Sequence, residues 1–295
     1  MNPSKFKKKL YTAILGSYRS TIYFILNLLY HNMPKPLEQE PIDVIIPVIE
    51  KDLDILPLCV EGIRKCIRNK IDKIYIVSPN IDSIIHTAQR YELQFVNEDS
   101  VLGYSPNSFK VITQSGKNRS GWIFQQLLKL SGNIGKNRYF IVIDSDHILI
   151  KPHTFITNKE KHVFYQSKEY YYPYYENIKK LIGSFPFQHL SYIAHKMVFD
   201  KEKLVQLRNL IESKNSYTKD SWDKIIINSL NKSYDSSFSE FELYGHFVKK
   251  KNKIRLPWKQ KELLKNDEVL DYKTLCRKYC NQYWSVTFPD YLKKD

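Results

Sequence analysis

The chain has 295 residues, with 46 Lys and Arg against 31 Asp and Glu, for a formal net charge of +15. An apolar content of 42% with 26% charged residues is that of a folded globular chain and excludes a disordered or fibrous class. Four cysteines over this length exclude a disulfide scaffold, nine glycines argue against a glycine-rich loop as the main phosphate device, and the positive surplus favours anionic partners.

Lys5, Lys7, Lys8 and Lys9 lead into a mostly apolar run over residues 10–30. Arg19 interrupts it, and the unbroken part, residues 22–30, is too short to span a bilayer. No small-residue cleavage site follows, so the segment reads as retained. Two readings stand: an interfacial helix on an anionic membrane surface, or a helix packed on its own domain. Pro34, Pro36 and Pro41 then mark a linker.

From residue 42 short apolar runs alternate with helically spaced ones. The pattern predicts strands over 42–48, 73–77, 93–96 and 138–143, with helices over 54–68, 81–91 and 119–131 between them. Such alternation implies an α/β fold with parallel pairing and right-handed crossovers. Beyond residue 150 the order is less regular, with a strand expected over 191–199 and helices over 201–214, 219–231 and 240–251. The chain divides into an N-terminal helix and linker (1–41), a domain over 42–258 with halves 42–150 and 151–258, and a charged tail (259–295).

Asp144-Ser145-Asp146 directly follows the clearest strand. Ligands of open α/β sheets bind beyond the carboxyl ends of the strands. If a turn breaks the strand alternation, two carboxylates one residue apart can approach one Mg2+ or Mn2+ ion, which can bridge a diphosphate. Capping of the turn by the two aspartates is the plain alternative.

Tyr139-Phe140-Ile141-Val142-Ile143-Asp144-Ser145-Asp146 resembles the strand and DXD motif of GT-A-fold glycosyltransferases. Other blocks resemble a poorly characterised bacterial and viral branch of that fold. They are residues 119–130 with their Arg119, Trp122, Gln125 and Gln126, then Pro173-Tyr174-Tyr175-Glu176, Ala194-His195-Lys196-Met197, and residues 239–245. Together they cover roughly residues 42–250.

The resemblance implies a GT-A (Rossmann-like), mostly parallel central sheet flanked by helices, with an N-terminal accessory helix. It implies a metal-dependent transferase that moves a sugar from a nucleotide diphosphate sugar to a glycan or lipid-linked hydroxyl, in surface polysaccharide or glycoconjugate synthesis. The nucleotide would lie near Val48, Lys51 and Asp52 after strand one, Ser78 and Asn80 after strand two, and Asp99 after strand three. Arg119 would meet a phosphate at a helix start, with Gln125 and Gln126 as further polar contacts. Asp146 would bind the metal, and Asp144 would touch metal or ribose.

Glu240, with Glu242 as substitute, is the expected base for an acceptor hydroxyl, although acidic residues also suit a helix start on electrostatic grounds alone. His246 is a candidate third metal ligand and His147 a similar one, while His195 reads as a mid-strand residue, either a core histidine or an acceptor contact or outer partner of the phosphates. Tyr170, Tyr171, Tyr172, Tyr174 and Tyr175 form either a sugar platform or a packed turn, and Trp222 and Trp258 receive no role. Cys59 and Cys66 read as buried thiols, and Cys276 and Cys280 lack zinc-site spacing, so a reducing, cytoplasmic setting is expected, peripheral at the inner face of a membrane.

Two other classes compete. A haloacid-dehalogenase-like phosphatase would use Asp144 as nucleophile with Asp146, but Ile148 stands where Thr or Val is usual and no acidic pair follows a later strand. A basic nucleic-acid binder would use residues 249–253 and 259–265, but no binding module accompanies these runs, which read as solvated faces.

Overall fold

A computed structural model describes residues 3–30 (side chains from Ile14), 32–184, 190–264 and 271–289. The elements are α1 (Pro3–Leu29), β1 (Ile42–Pro47), α2 (Leu56–Cys66), β2 (Ile71–Ser78), α3 (Asp82–Arg90), β3 (Gln94–Asn97), α4 (Glu98–Leu102) and α5 (Ser120–Ser131). Next come β4 (Tyr139–Ile143), β5 (His147–Leu149), β6 (His162–Gln166), α6 (Tyr172–Ile182), β7 (Lys196–Asp200), α7 (Lys201–Lys214) and α8 (Trp222–Ser229). The chain continues through α9 (Glu240–Phe247), β8 (Lys253–Pro257), β9 (Gln260–Glu262), α10 (Tyr272–Tyr279) and β10 (Ser285–Thr287).

The fold is α/β, with a mostly parallel central sheet in the order β3-β2-β1-β4-β7. β3, β2, β1 and β4 run parallel, and β7 pairs antiparallel with β4. Every residue of β4 is buried, which fits an unbroken apolar run lying in mid-sheet. Because these four strands are parallel, their carboxyl ends share one edge, and β4 delivers Asp144 there. Pro47 closes β1 at the same edge, since it cannot extend the ladder as a donor.

Among the described residues there are two further, small sheets: β5-β10-β9, and β6-β8. The segment expected to be a charged tail is built into the first of them. β10 pairs with β5 immediately after the acidic motif, Thr287 facing His147, and β9 pairs with β10. Residues 265–270 and 290–295 of that segment lie outside the described residues. α2 packs against β5 so closely that a methyl group at Gly62 would sit 2.7 Å from the Leu149 carbonyl oxygen, which reserves the position for glycine.

The predicted strand over 191–199 is shorter than expected. It begins at Lys196, so His195 stands before the strand rather than within it. The tyrosine cluster is the start of α6, with Pro173 in its first turn, where its missing N–H costs nothing. α1 is packed on the domain along one side. Arg19 is buried with its guanidinium 4.2 Å from the centre of the Tyr170 ring, and Lys259 Nζ donates to the Asn27 and Tyr30 carbonyls at 3.1 Å each.

Candidate active site

A tight turn follows β4. The Asp144 amide donates to the His195 carbonyl and the His147 amide donates back to the Asp144 carbonyl, both at 3.0 Å. This breaks the strand alternation and re-aims the two aspartates. Ser145 Oγ donates to Asp52 Oδ2 at 2.8 Å, tying the turn to the segment after β1. The C-terminal segment holds it from the other side, since the Phe288 amide and Thr287 Oγ1 both donate to the Asp146 carbonyl, at 3.0 and 3.2 Å.

His195 has a φ of 57°, a left-handed backbone in a residue with a side chain. Such a conformation costs about 1–3 kcal/mol and persists where its surroundings impose it. Its Nδ1 lies 3.1 Å from Asp144 Oδ2. One ligand atom from each of Asp144, Asp146 and His195 lies within 4.8 Å of the others.

Lys129, on α5, is buried between the acidic motif and α9. Its Nζ stands 3.3 Å from Asp144 Oδ1 and 2.8 Å from Glu240 Oε1. Burial works against the ammonium charge, yet Asp144 and Glu240 raise its pKa above the usual lysine range. Burial would likewise raise the Asp144 carboxyl, but Lys129 and His195 outweigh it and hold the group at about 2. Asp146 is pushed up to about 6, chiefly by burial, with His195 opposing and Asp144 and Asp52 adding to the rise. The site therefore holds one firmly ionised carboxylate and one short of positive charge. Two carboxylates and an imidazole suit a hard or borderline divalent cation, and a second positive charge would relieve Asp146, so these residues fit Mg2+ or Mn2+.

The site opens into a cleft of about 660 Å3. Arg119, Gln125, Gln126, Asp144 and Glu240 line it, joined by Lys129, Trp122, Tyr174, Glu169, His195 and Trp258. Arg119 sits at the N-terminal end of α5, its Nε donating to the Asp235 carbonyl at 2.6 Å and its guanidinium 5.1 Å from the Trp122 ring centre. Gln126 Oε1 accepts from the Glu240 amide at 3.1 Å, so it positions the start of α9. Val48, Lys51, Asp52, Ser78 and Asp99 lie at the carboxyl edge of the sheet but not among the residues lining this cleft. Ser78 is buried and donates to the Pro79 carbonyl, and Asp99 lies in α4.

The two glutamates of α9 part company. Glu240 faces the cleft, whereas Glu242 is enclosed, accepting from Ser191 Oγ, from Tyr175 Oη at 3.3 Å and from the Tyr192 amide at 3.2 Å. His246 is not brought to the acidic motif. It lies one helical turn after Glu242, Nε2 to Oε2 3.3 Å, and the histidine that joins Asp144 and Asp146 is His195. His147 is also directed elsewhere, its Nε2 3.0 Å from the buried Lys196 Nζ. Of the tyrosine cluster, Tyr174 lines the cleft, while Tyr175 is buried and stacks on Tyr170 at 5.0 Å. Trp258, given no role from sequence, stacks on His195 with ring centres 6.4 Å apart and planes 10° from parallel. Lys129 was passed over as well. Its signal was the spacing Trp122, Gln126, Lys129, which puts it one turn beyond the glutamine on one helix face.

A search of curated proteins returns no match. Among solved structures, mouse xyloside xylosyltransferase 1 in its apo form is 9% identical over 86% of this chain and 99% of that one, with a TM-score of 0.47. The galactosyltransferase LgtC, in complex with donor and acceptor sugar analogs, is 11% identical over 84% of this chain and 87% of that one, with a TM-score of 0.41. Glucosyl-3-phosphoglycerate synthase from Mycobacterium tuberculosis, in complex with Mn2+, uridine diphosphate and phosphoglyceric acid, is 16% identical over 39% of this chain with a TM-score of 0.25. This chain spans 35% of the length of that synthase. A family model matches residues 39–282, from the end of the linker through α10, and the chain belongs to that family, the family of unknown function DUF6492.

Proposed function

We propose that this chain is a metal-dependent glycosyltransferase of GT-A type that takes a nucleotide diphosphate sugar as donor and a hydroxyl as acceptor. The observation that carries the reading is the convergence of Asp144, Asp146 and His195 at the carboxyl end of β4, where Asp144 and His195 line a cleft with aromatic walls and Asp146 stands beside them. The resemblance of residues 139–146 to a strand and DXD motif agrees with it.

In this reading Asp144, Asp146 and His195 hold Mn2+ or Mg2+. Bound there, the ion supplies a Lewis acid for the diphosphate and offsets charge on the departing phosphate. Arg119 adds a cation at a helix N-terminus, where backbone dipoles also favour phosphate. Trp122, Tyr174 and Trp258 give the sugars apolar faces to rest on. Glu240 takes the proton of the acceptor hydroxyl, and Lys129 positions Glu240 relative to Asp144. Glu242, enclosed by hydrogen bonds, supports α9 instead.

The test is donor hydrolysis and nucleotide binding with and without Mn2+. Wild type should bind a nucleoside diphosphate only with metal present, and Asp146→Ala should lose metal-dependent hydrolysis by at least about 10²-fold while keeping its thermal transition. Undiminished hydrolysis in that variant would remove the metal role and with it this reading.

A further inference from the structure

We infer that α1 is a fixed docking surface for an anionic lipid bilayer, and that it holds the mouth of the cleft beside that bilayer. This goes beyond the transfer reaction, and its test does not depend on catalysis. The inward side of α1 is secured to the domain by Arg19 on Tyr170 and by Lys259 on the last carbonyls of the helix. The opposite side is apolar and open. Ile14, Phe24, Ile25, Leu28 and Leu29 each leave 46–69% of their surface exposed. At 3.6 residues per turn these five fall within about 140° of the helix circumference, densest over Phe24 to Leu29, with the exposed Ser17 and Thr21 on the same arc before them. A soluble domain has no use for a stripe of this size unless something covers it.

Charge identifies the cover. The helix carries Lys5, Lys7, Lys8 and Lys9 in its first turns. Further along, cations stand on both flanks of the stripe. On one flank a groove of about 310 Å3 joins Ile22 and Leu26 of α1 to Lys250, Lys253 and Arg255. On the other a groove of about 610 Å3 joins Tyr23 and Asn27 of α1 to Lys168, Lys259 and Lys261, with Glu262 as its acidic member. Lys253 and Lys259 are taken up by the carbonyls of Gly245 and of Asn27 and Tyr30, but Lys250 and Arg255 on one flank and Lys168 and Lys261 on the other border the apolar face, which matches a bilayer with anionic headgroups, the apolar residues entering the acyl boundary and these cations meeting phosphate. Among the described residues no helix is long and apolar enough to cross a membrane, so the contact runs along the surface. The second groove shares Lys168, Trp258 and Glu262 with the cleft, which sets the cleft mouth next to α1. If the transfer reading holds, an acceptor carried on a lipid reaches the site without leaving the membrane.

The experiment uses the full chain and two kinds of vesicle: phosphatidylcholine alone, and phosphatidylcholine in which a third of the lipid is phosphatidylglycerol. Sedimentation should show at least about tenfold tighter binding to the anionic vesicles, weakening as salt rises. Phe24→Ser with Leu28→Ser removes apolar surface without adding charge, and should weaken that binding by about tenfold or more. Lys250→Gln with Arg255→Gln should weaken it several-fold through the charge term alone. Circular dichroism and manganese–UDP binding should match wild type in both pairs, which reports on the cleft separately. Equal binding to both vesicles, or binding unchanged by Phe24→Ser with Leu28→Ser, would overturn the inference. So would a micromolar dimer that this pair dissociates, because the stripe would then belong to a second copy of the chain.

Discussion

The two halves of the domain are built by different rules, and the cleft is where they meet. In residues 42–150 the strands β1 to β4 lie side by side in the sheet, parallel and joined through helical crossovers, and of these only β4 also pairs with a strand of the other half, β7. In residues 151–289 the strands are three to five residues long and pair with distant ones, His162 facing Lys253 in β6-β8 and Thr287 reaching back to His147 in β10-β5. The first half supplies the ionised groups Asp144, Asp146 and Lys129. The second supplies what orients them: His195 in its strained backbone, Trp258 stacked on it, Glu240 on α9, and the donors from Thr287 and Phe288 to Asp146. A wall made by local structure carries the charge, and a wall closed by long-range pairing aims it.

Lys129 is the sharpest place to break this arrangement, because a single ammonium joins the acid of one half to the acid of the other. Lys129→Met leaves Asp144 and Glu240 without their shared cation, and breaking a buried ion pair in this way costs roughly 3–5 kcal/mol. The melting temperature should fall by about 5–10 °C, and sugar transfer should drop by at least about 10²-fold. Added Mn2+ should restore part of the melting temperature, since the ion would supply positive charge beside Asp144. A Lys129→Met protein that melts with wild type would mean that the halves are joined elsewhere.

The proton separates the two aspartates next. Asp144, held at about 2, is ionised throughout the working range, whereas Asp146, at about 6, carries a proton in mild acid. A cation must displace that proton and also the one on His195, whose imidazole, despite burial, Asp144 and Asp146 hold above its usual range, so Mn2+ affinity measured by calorimetry should already fall through neutrality and fall by more than about tenfold for each unit once both groups bind protons. The signs for metal-free stability are opposite. Asp146 binds its proton more tightly folded than unfolded, so its share of stability grows as pH drops from about 6 to about 4. The share due to Asp144 is present above about 4 and is lost as pH falls toward about 2. Affinity that is level down to pH 5 would remove Asp146 from the ligand set.

A smaller effect tests the second wall alone. A methyl group at Gly245 would run into the Tyr192 ring, so α9 can lie against Tyr192 only because residue 245 has no side chain. Gly245→Ala should cost about 1–3 kcal/mol in a denaturant melt as α9 shifts outward, and transfer should fall more than Mn2+ binding does. Equal losses in both would show that α9 and the metal turn move as one body.

The same contrast explains what could be read from the chain. The four parallel strands, helices α2, α3 and α5, and the acidic motif at the end of β4 were legible because burial and periodicity there are local properties. β6, β8, β9 and β10 were not, being short and partly polar, with partners far along the chain. His195 was misplaced for a related reason. Apolar neighbours suggested mid-strand, while the feature that matters, a positive φ just before Lys196, leaves no mark on hydropathy. His246 illustrates a readable signal left unused. Its i, i+4 spacing from Glu242 indicates a helix-face pair, and that pair is what forms.

The smallest effect reaches the aiming function most directly. Trp258 lies on the His195 ring nearly in parallel, and stacked aromatic pairs contribute about 0.5–1.5 kcal/mol beyond their burial. If the indole helps to keep His195 turned toward Asp144, Trp258→Ala should weaken Mn2+ by about two- to tenfold, the same energy expressed as affinity. Trp258→Phe keeps a flat ring in place and should restore most of it. The carboxylates would be untouched in both variants, so the part of the pH dependence near 6 that Asp146 sets should stay in place. A shift in that part would mean that Trp258 acts on the acidic turn itself, and the division between a wall that carries charge and a wall that aims it would no longer hold at this residue.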